Sequence, residues 1–170
     1  MPNYCDFMMK VVGKKTDCRT FMSKLSSYKV PNHFWRIFEA DIYNEEVHGD
    51  QTSLYIYGQC AWSLESCCRA SGYSEGVDLF EVNTKELDLK MEAYSREYGI
   101  GFEEHFIYNR GECQADECVD AKEYFWDRAE FPTYQEFKEE YPDAPPEEKF
   151  EGEDSAVVGG FGEAYAKWTI

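Results

Sequence analysis

A chain of 170 residues is long enough to bury one substantial core and short for two, and its 43% hydrophobic and 17% aromatic content excludes the disordered acidic class. The 34 acidic against 17 basic residues leave a formal charge of −17, which excludes a protein that holds nucleic acid through its phosphates. No run approaches the roughly 18 apolar residues of a membrane span and no basic leader precedes an apolar stretch, so a cytoplasmic protein without a membrane partner is expected.

Tyr4–Val12 alternates loosely and closes at Gly13-Lys14-Lys15, the pattern of a strand and turn. Thr16 is a candidate cap for a helix to about Ser26, with Phe21, Met22 and Leu25 on one face. Phe34–Tyr43 and Ser53–Ala61 are rich in aromatic and branched residues and flank an Asn44–Gln51 loop, so they pair as a hairpin. Ser63 caps a second helix to about Ser71, followed by a polar loop over Gly72–Asn83. Leu87, Leu89, Met91 and Ala93 then alternate with polar residues, which predicts a half-buried strand with one face wet. Turns at Gly99-Ile100-Gly101 and Asn109-Arg110-Gly111 introduce two further antiparallel strands, Phe102–Tyr108 and Glu112–Val119. Thr133-Tyr-Gln-Glu136 is a capping box for a short acidic helix that Pro142 terminates. Pro142–Ser155 reads as an exposed acidic loop, and Trp168 as an anchor that returns the final segment to the body.

The fold class is therefore α+β, a ferredoxin-like β-α-β-β-α-β sheet with two helices on one face, extended by a β-meander. The expected domain covers residues 1–120, with 121–170 packing back on it as an acidic helix, a Pro/Glu-rich loop and a closing segment. Met1-Pro-Asn-Tyr-Cys5, KVVGKKTDCRTFM, Cys60-Ala-Trp-Ser63, the run from Glu92 to Glu112 and Asp116-Glu-Cys-Val-Asp120 are similar to the ferredoxin-like YubB-type proteins of phages and plasmids. That resemblance implies the fold and a mobile-element origin, and carries over no catalytic residue.

His33, His48 and His105 form no helical metal pair, and no nucleophile motif or phosphate-cradling glycine loop is present. An odd number of cysteines, seven, without a leader reads as reduced thiols; Cys113 and Cys118, five apart on a strand, would face opposite ways. Cys5 and Cys60 are expected to be small core residues on neighbouring strands. Glu103 with Glu104, or Asp116 with Asp120, could hold Mg²⁺ in a small hydrolase or nuclease, but such pairs arise freely at this acid density. Tyr55 and Tyr57 share a strand face, without the basic fringe that base stacking needs. No enzyme and no cofactor is therefore expected.

Residues 103–154 hold 18 acids and 5 bases, whereas 1–102 hold 15 and 11. Asp116, Glu117, Asp120, Glu123, Asp127, Glu130, Glu136, Glu139 and Glu140 are the candidate contacts to a basic surface on a partner. With the resemblance, they point to an anti-CRISPR or other anti-defence inhibitor that mimics nucleic acid before a host nucleic-acid-binding protein such as a CRISPR effector. A phage accessory module that binds protein without mimicry is the alternative.

Overall fold

A computed structural model describes residues 4–69, 76–97, 101–120, 123–150, 156–158 and 168–170, with backbone only at 120, 123, 149 and 156–158. Strand β1 (Tyr4–Gly13) is the axis of the molecule. Its odd positions Cys5, Phe7, Met9 and Val11 are buried on one face, and the even positions between them are half-buried on the other. Helix α1 (Lys15–Ser26) brings Cys18, Phe21 and Leu25 onto the first face. The helix begins before Thr16, which is not its cap: the Lys14 carbonyl opens it by accepting from the Asp17 and Cys18 N–H groups, both at 3.0 Å.

Strands β2 (Ile37–His48) and β3 (Gln51–Ala61) make a longer hairpin than the sequence suggests, turning on Gly49 at φ +61. The expected loop residues are strand because their carboxylates are held. Glu45 is bound by Lys15 at 2.7 Å and by Arg19, and Tyr55 donates to Glu46 at 3.0 Å. Helix α2 (Leu64–Cys68) has the Ser63 cap, with Ser66 N–H donating at 3.0 Å, but ends short of Ser71.

Helix α3 (Leu79–Glu86) falls partly where a polar loop was expected. Asp78 caps it by accepting from Phe80 and Glu81 N–H at 2.9 and 3.1 Å, and the burial of Leu79 and Phe80 secures a segment otherwise too polar to read as helix. Leu87 and Leu89 consequently belong to the helix exit, where Asp88 has φ +50, and strand β4 (Lys90–Glu97) starts later. Strands β5 (Phe102–Asn109) and β6 (Glu112–Asp120) follow as a meander.

The result is an α+β fold with a six-stranded antiparallel sheet in the order β2-β3-β1-β4-β5-β6. Three helices, rather than two, feed the core on one face: Phe21, Leu64, Phe80, Ile56, Met91 and Phe106 are representative of it. A second cluster of Tyr124, Trp126, Phe137, Ala144 and Phe150 gathers around α4 (Tyr134–Glu140) and the short pair β7 (Glu123–Phe125) and β8 (Ala156–Val158). The segment from Pro142 is therefore not simply an exposed loop, since Ala144 and Phe150 are buried where Trp126 and Phe137 can pack on them. Among the described residues no helix is long and apolar enough to cross a membrane.

Candidate functional site

Register determines which side chains meet on the sheet face opposite the helices. One row runs Tyr55, Lys10, Glu92, Ile107 across β3, β1, β4 and β5; the next runs Tyr57, Met8, Tyr94, His105, Glu117; a third runs Gln59, Asp6, Arg96, Glu103, Val119. Polar pairs link neighbours within these rows. Gln59 donates to Asp6 at 2.7 Å, Arg96 binds the buried Glu103, and His105 lies 2.8 Å from Glu117.

Like Glu103, Glu92 is a carboxylate with 0% exposure on this face, but it lies near the middle of the sheet and bonds residues outside it. Its Oε1 meets His105 Nε2 at 2.9 Å, the Tyr94 hydroxyl at 3.1 Å and the Thr169 hydroxyl at 3.1 Å. Its Oε2 accepts from the backbone N–H groups of Thr169 at 2.6 Å and Ile170 at 3.3 Å. Burial pushes the pKa of this carboxyl up, but the Thr169 N–H, His105 and the two hydroxyls together outweigh it and hold the group below the ordinary glutamate value. Lys10 donates to the Ile170 carbonyl, and the Trp168 ring sits 6.1 Å from Tyr55 and 5.6 Å from Tyr94. Strand β4 was expected to have one wet face. Instead Met91–Ser95 are all buried, because Trp168–Ile170 lies over the side that alternation leaves polar.

The carboxylates singled out in the sequence do not form one array. On β6, Asp116 pairs with Arg69 at 2.6 Å and Glu117 with His105, on opposite faces of the strand. The side chains of Asp120 and Glu123 lie outside the described residues. Asp127 accepts from Ala129 N–H at 2.8 Å within its own turn, and Glu136 closes the capping box with Thr133. Glu136, Glu139 and Glu140 share one face of α4, away from buried Phe137, and Glu130 is exposed nearby in sequence. The structure thus gathers three of the nine on one helix face, Glu136 among them already bonded to Thr133, and commits Asp116, Glu117 and Asp127 to internal partners.

No family model, curated protein or solved structure matches the chain.

The other candidate chemistry resolves through register. Glu103 faces the Arg96 side and Glu104 the helix side, so one cation cannot take both. Glu104 instead accepts from the N–H groups of Leu64 at 2.8 Å and Glu65 at 3.2 Å and from the Ser95 hydroxyl, and burial raises its pKa against those bonds. Positions 116 and 120 are about 13 Å apart along a strand, too far to share an ion. A bulge between Ile107 and Tyr108 alters the parity of β6: Cys113 pairs with Tyr108 and Cys118 with Glu104, so the two face the same way rather than oppositely. Separation along the strand, not direction, is what keeps them from a common ligand. Cys5 lies directly opposite Cys60, and both are fully buried. Hydrogen bonds with Cys5 and Cys67, and then burial, raise the Cys60 pKa and leave its thiol protonated.

Glu92 is the residue that sequence reasoning missed. The only signal was an acid at a position flanked by apolar alternation, which is also the signature of an ordinary solvent-facing strand residue.

Proposed function

We propose that this chain is a binding protein of ferredoxin-like architecture, related to the YubB-type proteins of mobile elements, that acts in the host cytoplasm as an inhibitor of a nucleic-acid-handling defence protein. The strand order around β1, with helices crossing on one face, supports the ferredoxin-like reading. The observation that carries the functional reading is the carboxylate face of α4, with Glu136, Glu139 and Glu140 supported from behind by the aromatic cluster around Phe137. An acidic stripe on a packed support meets a basic nucleic-acid groove without first having to order itself. The 18 acids against 5 bases across residues 103–154 steer such an encounter from a distance.

A second reading, a protein-binding accessory module without mimicry, is favoured by Asp116 and Glu117, whose charges are answered inside the fold. Exposed Tyr28, Trp35, Phe38 and Trp62 offer such a module apolar anchors. The two readings separate in one experiment. Glu130→Lys, Glu139→Lys and Glu140→Lys together leave the Thr133–Glu136 box untouched. If mimicry operates, the triple variant loses inhibition of target-DNA cleavage by a guide-loaded CRISPR effector, with circular dichroism unchanged. Inhibition or capture that survives the triple variant, and is insensitive to salt, removes the mimicry reading and leaves the apolar one.

A further inference from the structure

The contact between Glu92 and Trp168–Ile170 has the chemistry of a receptor and a ligand. The receptor side is buried and fixed. Glu92 is fully buried, Tyr94 is 4% and His105 8% exposed, and the Tyr94 and His105 rings stack at 4.2 Å with an interplanar angle of 11°. Glu117 holds the far nitrogen of that imidazole. The ligand side is not buried in the same way: Thr169 is exposed and Trp168 and Ile170 are only half-covered. A segment that served only to complete a core would bury its own side chains. Here it mainly presents backbone N–H groups and an indole.

Stability alone does not call for a carboxylate at this position, since well-packed apolar residues often replace a buried charge without loss. What a buried carboxylate does provide is selectivity for a turned chain whose successive N–H groups converge, and Glu92 takes both on a single oxygen. Lys10 answers the following carbonyl, and Tyr55 and Tyr94 flank the aromatic side chain. Donor, acceptor and aromatic slot are thus read along three successive residues.

We propose that this face is a peptide-binding groove for a segment with an aromatic residue followed by two residues whose free backbone N–H groups converge on one acceptor, and that Trp168–Ile170 is its intramolecular ligand. Its outside occupant is a segment of that pattern on a partner protein. The groove lies on the sheet face, apart from the α4 carboxylates, so it stands or falls independently of the acidic-surface reading. An intramolecular segment competes at an effective concentration in about the millimolar range, so an outside peptide binds the resting chain weakly and binds strongly once the segment is released.

The test uses the full chain carrying Trp168→Ala with Thr169→Pro, which removes the indole and the N–H closest to Glu92. The probe is a fluorescent, amidated synthetic peptide with the sequence of residues 163–170. The released chain is expected to bind it at least tenfold more tightly than the unaltered chain, and Glu92→Gln in the released background is expected to lose at least tenfold. The same peptide with proline at the threonine position should bind neither. In the unaltered chain, excess peptide should accelerate hydrogen exchange at the Thr169 and Ile170 amides. A concentration-dependent dimer that the peptide dissociates is the same groove filled by a second copy and supports the assignment. Equal weak binding by folded released and unaltered chains overturns it, as does affinity indifferent to Glu92→Gln. Global unfolding of the released chain, with exchange at Thr169 unmoved by peptide, makes the segment a core element and overturns it as well.

Discussion

Two buried glutamates show how the same side chain acquires opposite characters from its surroundings. Glu92 receives enough hydrogen bonds to be held below the ordinary glutamate pKa, whereas burial wins at Glu104 and raises it. A depressed native pKa stabilises the fold above the unfolded value of about 4.3, and that contribution disappears as pH falls through the lower native value. Protection of the Thr169 and Ile170 amides should therefore be full at neutral pH and decline in acid below that range, which exchange measured from pH 7 to 3 would reveal. Glu92→Gln should cost about 1.5–3 kcal/mol in urea unfolding, the range for hydrogen bonds to a charged group. Glu104→Ala strips the acceptor from Leu64 and Glu65 N–H, and leaving such buried donors unsatisfied should cost about 1–3 kcal/mol by the same measurement.

Helices and strands here are set by caps and close approaches more than by propensity. The Thr133–Glu136 box was readable because both of its partners lie within four residues, and Thr133→Ala should cost about 1 kcal/mol while leaving the main sheet intact. A tryptophan fluorescence change reporting Trp126, which stacks on Phe137 at 6.0 Å, would track it. The Asp78 cap of α3 was equally local, yet the segment behind it has too few apolar residues to announce a helix, and only burial of Leu79 and Phe80 under the sheet decides it. Gly58 on β3 is a close-approach site: a Cβ there would strike the Glu39 carbonyl and the Phe7 ring. Gly58→Ala should destabilise by about 1–3 kcal/mol, the cost of overpacking a formed core, seen as a lowered melting temperature. The β6 bulge is the opposite case, a single irregularity that moved both cysteines onto one face and that no composition signal marked.

At the scale of the molecule, charge is distributed by topology rather than by sequence position. The acids of 103–154 are contiguous in the chain, but those the structure describes are divided between two bodies of packing: β5 and β6 in the main sheet, and the aromatic cluster around α4. Salt should therefore weaken partner capture through α4 steeply while leaving the melting temperature little changed, because the charges that matter to folding, such as Glu92 and Glu103, are buried and poorly screened. Calorimetry beside capture at rising salt checks both halves of that expectation.

Local chemistry was enough, from the sequence alone, for the α+β class, the hairpin, the meander, the α4 box and the acid-rich block, since each depends on residues within a few positions of one another. Trp168 stood out as an anchor because residues 156–170 are apolar enough to return to the body and a large indole has little alternative to packing. What it would meet depended on tertiary structure. The pairing of Lys10 with Glu92, of Glu92 with residues 77 positions away, and of Asp116 with Arg69 required the sheet to be assembled in its order and register. A one-residue slip in register reverses the face of every side chain on a strand. A carboxylate destined for burial and one destined for water therefore look alike until the partner strands are in place.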